Sequence, residues 1–363
     1  MEYPGWGKSG RSPFKDWKVP LTDLCSASSN YCGSDNSADW GDNASWMSDW
    51  VFVSKSQTFF PYNAVPYYMK LPCLLPTTVV GSFPCVKGGF SLFDPYKKAV
   101  KFAVAEQIRA GVDIISDGQV RADMVQAFVS KLPGISGSSV VGKIGAAGKP
   151  ITVADTKYAL TQTKQVKGIL TGPCTLAYAL QINTPQYRNK EEVALDLAHA
   201  LHAEAVHLVN AGCSIIQVDE PILSTGAMSV DTAKKCLSVI FDGIKTPSCV
   251  HTCGILDAVA SEWTKLPVDI LDFEYAVSPE NLETLSKYDL RGKKIGCGCV
   301  KSSDQKVETV EEIEAAMYAC IDVFGKENIL FDPDCGLRMH TADGAYQKLS
   351  NMCEAVRHVR EEL

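Results

Sequence analysis

The chain predicts an α/β protein, a (β/α)8 TIM barrel preceded by an irregular N-terminal extension. Three observations carry this. Short apolar, β-branched runs recur through residues 69–363 and are separated by amphipathic helical stretches. There are eight of them, the number a closed parallel barrel needs. Residues 1–68 share none of this rhythm.

The eight runs are TTVVGS (77–82), VDIISD (112–117), VKGILTG (166–172), CSIIQVD (213–219), PSCVHT (247–252), DILDFE (269–274), KKIGCG (293–298) and NILFDP (328–333). Amphipathic stretches between and after them include Pro95–Ala110, Lys190–Ala211, Val230–Gly243, Thr309–Phe324 and Gly344–Glu362. Strand alternating with helix implies parallel pairing, because a parallel crossover needs a long connection. Residues 120–165 are less regular. Their Gly- and Ser-rich part, SKLPGISGSSVVGKIGAAGKP, reads as a hairpin or long loop on the barrel mouth. An open doubly wound sheet is the alternative, but GSFPCVKGG after the first run is not a dinucleotide fingerprint.

Five of the six tryptophans (Trp6, Trp17, Trp40, Trp46 and Trp50) lie in residues 1–68. The stretch CSASSNYCGSDNSADWGDNASWMSD follows neither helical nor strand periodicity. Residues 1–68 are therefore expected to be an irregular or disordered extension, and residues 69–363 the barrel domain.

Composition excludes several classes of function. A formal charge of −7 argues against a nucleic-acid surface, which needs a basic patch. No run of 18 apolar residues suggests a membrane span, and the first residues lack the apolar core of a signal peptide. Fourteen cysteines, many inside apolar runs (Cys213, Cys236, Cys249, Cys320), read as small hydrophobes in a reducing compartment. The cytoplasm is the expected location.

Barrel enzymes place their chemistry at the C-terminal ends of the strands. Here those ends carry Gly81-Ser82-Phe83-Pro84, Asp117-Gly118-Gln119, Thr171-Gly172-Pro173, Asp219-Glu220-Pro221, His251-Thr252-Cys253, Glu274 and Asp332-Pro333-Asp334-Cys335-Gly336. His251 and Cys253 are two apart on one strand end, so alternation points both the same way. With Cys335 and Glu274 from two other strands they make an imidazole, two thiolates and a carboxylate, a donor set typical of zinc. Ligands drawn from separate strands favour a catalytic ion over a structural clip. Each residue also has a plainer explanation: a core cysteine, a helix-capping glutamate. Spacing alone leaves both readings open. The other histidines differ. His199, His202 and His207 fall in one helical stretch, His358 in the last, and His340 just beyond Cys335.

At these residues the chain resembles the catalytic half of the cobalamin-independent methionine synthases. The segments that carry the resemblance, in the family's order, are TTVVGSFP, EQIRAGVDIISDGQVRADM, VKGILTGP, AGCSIIQVDEPIL, HTC, FEY and DPDCGL. The resemblance implies a (β/α)8 barrel and zinc held by His251, Cys253, Glu274 and Cys335. It implies methyl transfer to the thiol of homocysteine, giving methionine. Val80, Gly81 and Ser82 would hold the amino-acid carboxylate, and Asp219 would pair with the α-ammonium as the catalytic carboxylate.

The chain departs from the long family members on the folate side. No counterpart of their first barrel is expected in residues 1–68. Gln119 stands where they carry a carboxylate that contacts the substrate amino group. Lys301 and Ser303 replace their Asp-x-His proton relay, and Tyr178 replaces a tryptophan that meets the folate. This pattern resembles the short core members from archaea and some bacteria, and it implies a methylcorrinoid donor, carried on a corrinoid protein, over methyltetrahydrofolate. A corrinoid leaves as Co(I) and needs no protonation, whereas a folate leaves as an amine and needs an acid. Competing expectations are a zinc methyltransferase acting on another thiol such as coenzyme M, a metal-free decarboxylase of the uroporphyrinogen type, and a non-catalytic zinc- or corrinoid-binding accessory protein.

Overall fold

The computed structural model describes residues 71–86, 94–290 and 292–363. The extension expected at residues 1–68 lies outside them. In chain order the strands are β1 (Ile135–Ser136), β2 (Ser139–Val140), β3 (Lys167–Thr171), β4 (Gln181–Ile182), β5 (Ile215–Asp219), β6 (Ser248–Thr252), β7 (Ile270–Glu274), β8 (Lys294–Val300) and β9 (Ile329–Pro333).

β3, β5, β6, β7, β8 and β9 form one parallel sheet in that order. Every residue of these six strands is buried. Interior side chains cover one face and helices the other, which is why the runs read as nearly continuous apolar stretches. The two remaining runs close the ring through single bridges. Thr77 pairs with Phe331 of β9, Thr78 with Ile114, and Ile115 with Val166 just before β3, all parallel. The eight-membered barrel expected from the sequence is therefore present.

The first two runs pair over a shorter length than expected, and side chains explain why. The Asp113 carboxylate accepts from both the backbone N–H and the hydroxyl of Thr77, at 2.8 and 3.1 Å. Gln107, fully buried, takes the Ser116 N–H at 2.8 Å. Backbone groups satisfied by side chains are not free to extend a ladder.

The helices follow the predicted stretches closely. Lys190–Ala211 begins at Asn189, whose side chain accepts from the Glu192 N–H, and stops at Gly212 in a left-handed conformation. Val310–Phe324 opens with a reciprocal capping box between Thr309 and Glu312. The Gly- and Ser-rich part of residues 120–165 holds the expected hairpin, with β1 and β2 paired antiparallel, and helices Met124–Val129 and Val153–Gln162 flank it. Buried Glu204 explains the second helix, because its carboxylate accepts from the Ile151 and Thr152 N–H groups at the helix entrance. That partner lies about fifty residues away in sequence and gives no local signal.

Most described cysteines are free thiols, and Cys297 of β8 packs against Cys320 of the helix Val310–Phe324, both fully buried. No helix among the described residues is long and apolar enough to cross a membrane.

Candidate metal centre and amino-acid site

Three strand ends converge at one rim of the barrel. β6 delivers His251, and Cys253 follows directly after it. Trp263, fully buried, fixes this strand end by donating its indole N–H to the Thr252 hydroxyl at 3.0 Å. The chain then turns at Gly254, whose φ of +90° is open to glycine, and buried Asn281 clamps the loop. Asn281 accepts from Leu256 N–H and donates to the carbonyls of Gly254 and Glu274. β9 leads to Cys335 by way of Asp334, whose Oδ1 accepts from the N–H groups of Tyr275 and Ala276 at 2.9 Å each.

His251, Cys253 and Cys335 meet here, with one donor atom of each within 4.8 Å of the others. His251 Nε2 lies 2.9 Å from Cys253 Sγ, and the two sulfurs are 3.3 Å apart. The hydrogen bond from Cys253 holds the Cys335 thiol well below its ordinary value, against burial and with help from His251. Cys253, which gives up that hydrogen bond and is itself buried, is pushed well above. Burial disfavours a charged His251, but the charge and hydrogen bond of Asp272 hold the ring well above its usual range.

The trio suits zinc. Two sulfurs and one imidazole nitrogen are its preferred donors, and a tetrahedral ion would spread them to about 3.5–3.8 Å, an opening of roughly half an ångström. Glu274 ends β7 on the same rim and is buried, but it is not one of this close group. Its Oε1 accepts from the Ser278 hydroxyl instead.

Asp219 ends β5 and pairs in register with His251. Burial pushes its carboxyl up to about 7, partly offset by His251 and by a hydrogen bond from Gln217. A small cavity is lined by Val80, Gly81 and Ser82 together with Cys335, Gly336 and Leu337. Ser82 accepts the Leu337 N–H at 2.7 Å through its backbone carbonyl. Gly336 is needed there, because a Cβ on it would lie 2.0 Å from Ser82 Oγ. Gln119 reaches the same place: a Cβ on Gly81 would lie 2.8 Å from Gln119 Oε1. Gln119 itself has a φ of +44°, rare for a non-glycine residue, and its N–H is held by Asp117 at 2.9 Å.

The remaining residues singled out in the sequence stand apart. His199 is exposed and His202, His207 and His358 are half-buried on helices. His340 is buried and bonded to the Ser302 carbonyl through Nε2. Lys301 is exposed, and its N–H donates to Glu308. Tyr178 is half-buried.

Sequence reasoning missed several supporting residues. Asp272 lies 3.0 Å from His251 Nδ1, which turns Nε2 toward the sulfurs. Its position two residues before Glu274 on the same strand was a usable signal. Gly296 makes room for it, since a Cβ there would lie 2.6 Å from Asp272 Cγ. Glu220 is buried and accepts from the N–H groups of Cys174 and Thr175, so it anchors the strand-to-helix turn after β3.

Fold and site together define a (β/α)8 enzyme with an imidazole–thiolate centre at the mouth, beside a buried carboxylate. Residues 75–358 match the cobalamin-independent synthase catalytic domain. The chain belongs to that family, and this makes it an enzyme, a methyltransferase of the methionine synthase type. Curated relatives named methionine synthase include one from Methanocaldococcus jannaschii, 41% identical over 78% of this chain and 99% of its own length. One from Methanothermobacter thermautotrophicus is 40% identical over 77% of this chain and 98% of its own. Among solved structures, a B12-independent methionine synthase from Shewanella sp. W3-18-1, in complex with selenomethionine, is 27% identical with a TM-score of 0.69. The match covers 80% of this chain and 99% of that one.

Proposed function

We propose that the chain transfers a methyl group to the thiol of homocysteine at a zinc ion, taking it from a methylcorrinoid rather than from methyltetrahydrofolate. Family membership and relatives named methionine synthase support methyl transfer to homocysteine. The observation that carries the metal is the convergence of His251 and Cys253 from one strand end and Cys335 from another into one donor group.

Zinc, when bound, would supply a Lewis acid that favours the thiolate, the reactive form of a thiol, at neutral pH. The chain's own residues do the rest. His251, Cys253 and Cys335 would hold the ion, with Glu274, whose Oε1 accepts from Ser278, as a fourth donor. Asp219 takes the α-ammonium of the substrate, while Val80, Gly81 and Ser82 take its carboxylate across the small cavity. Gln119, beside Gly81, completes that wall. Fixing both ends of the amino acid aims its sulfur at the donor methyl, and an in-line displacement depends on such alignment.

The donor reading draws its support from what lines the loop after β8. A folate leaving as an amine needs an acid, yet the positions that would carry an Asp-x-His relay hold Lys301 and Ser303. Lys301 is exposed, its N–H engaged by Glu308. A corrinoid protein would then be the physiological partner. The catalytic barrel is assigned to residues 69–363, with residues 1–68 kept as a separate segment of the sequence. The cytoplasm suits a centre built on free thiols. The test is methionine formation by zinc-loaded protein from homocysteine, with methylcobalamin and methyltetrahydrofolate offered in parallel. Turnover with methylcobalamin alone is expected. Turnover with the folate overturns the donor assignment. Zinc bound without methionine from either donor points to another thiol, or to an accessory role.

A further inference from the structure

We infer that Lys167 and Gln217, buried inside the barrel, are positioning residues that lock the two halves of the amino-acid site into one geometry. The inference rests on the reading of Asp219 as partner of the substrate ammonium.

Lys167 opens β3 and is almost fully buried at 2% exposure, and Gln217 in β5 is at 0%. Lysine is among the residues least often buried, so one inside a barrel calls for a reason. Lys167 Nζ donates to the Val79 carbonyl at 2.9 Å and to Gln217 Oε1 at 2.6 Å. Gln217 Nε2 donates to the Val80 carbonyl at 2.8 Å and to Asp219 Oδ1 at 2.7 Å. Four hydrogen bonds thus run from the first strand run, through one lysine and one amide, to the carboxylate at the end of β5.

The direction of this chain follows from its chemistry. A glutamine amide has an acceptor end and a donor end. Nζ can only donate, so it fixes Oε1 toward itself. The NH2 group is then left facing two acceptors, the Val80 carbonyl and Asp219. A flipped amide would set its oxygen against both of those oxygens and leave Lys167 facing an NH2. Lys167 therefore settles the orientation of Gln217, and Gln217 settles where Asp219 Oδ1 and the Val80 carbonyl stand relative to each other. Val80 belongs to the segment that faces the substrate carboxylate and Asp219 to the ammonium side. The network sets the span between the two charges of an α-amino acid without touching the metal trio.

The test uses the full-length zinc-loaded protein and two thiols, homocysteine and 4-mercaptobutyrate, which lacks only the α-amino group. Binding of each is measured for wild type, Gln217→Met and Lys167→Met, together with zinc stoichiometry, thermal midpoint and the KM and kcat of methyl transfer. Wild type is expected to prefer homocysteine. In both variants that preference should fall by about ten-fold or more, the scale of a hydrogen bond to a charged group. KM for homocysteine should rise with it, while 4-mercaptobutyrate binding and one zinc per chain are retained. A preference unchanged in Gln217→Met overturns the inference and leaves the proposed function standing. Equal loss of both thiols, or loss in step with zinc, shows a merely structural role and also overturns it. A wild type that does not distinguish the two thiols overturns the role of Asp219 and this inference with it. Should Lys167→Met fail to fold, Gln217→Met alone decides.

Discussion

His251 Nδ1 and Asp272 Oδ1 lie 3.0 Å apart, both side chains shut away from solvent. This contact selects the ring nitrogen that faces Cys253 and Cys335. Support of this kind typically changes metal affinity by about 10–100-fold when removed. Asp272→Asn is expected to weaken zinc binding on that scale, read by competition with a chromophoric chelator. Wild-type affinity in this variant would show that the histidine is oriented by other means.

Cys335 and Glu274 are expected to differ. Cys335 Sγ is one of the three close donors, whereas Glu274 is engaged with Ser278. Cys335→Ser should lose most of the bound zinc and nearly all methyl transfer, while Glu274→Gln should retain more metal than Cys335→Ser. Metal analysis after gel filtration checks both, and full zinc in Cys335→Ser removes that residue from the centre.

Activity should depend on pH through Asp219. Burial pushes its carboxyl up to about 7. An acid with a raised pKa is neutral below that value, and only the ionised form pairs with an ammonium. kcat/KM for homocysteine is therefore expected to fall as pH drops through about 7, and Asp219→Asn should flatten that limb at a low level. Zinc content measured across the same range separates this from metal loss. An acidic limb that survives in Asp219→Asn belongs to another group.

Gly81→Ala probes the cavity wall. The added Cβ would meet Ile169 Cδ1 at 2.6 Å and Gln119 Oε1 at 2.8 Å. Overpacking of this kind costs about 1–3 kcal/mol. A lower thermal midpoint and a raised KM for homocysteine are expected. A variant with wild-type KM would place the substrate elsewhere.

Much of this was legible from residue order. Parallel strands covered on both faces need apolar runs, and six of the eight appear as full strands. The pair His251 and Cys253 was visible because strand alternation is strict. Less was visible where the cause is distant in sequence. Asp113 and Gln107 shorten the first two runs through side-chain hydrogen bonds. Glu204 starts the helix at Val153 from another element. Lys167 and Gln217 look like ordinary polar positions in apolar runs until the barrel closes and brings them to Val79, Val80 and Asp219.

The most direct measurement is methionine formation during zinc reconstitution. Chelator-treated protein would receive zinc in steps, with homocysteine and methylcobalamin present. Activity is predicted to be absent without metal, to rise linearly and to level off at one zinc per chain. Full activity in the stripped protein, or one tightly held zinc with no methionine formed, would contradict the assignment of a zinc-dependent homocysteine methyltransferase centred on His251, Cys253 and Cys335.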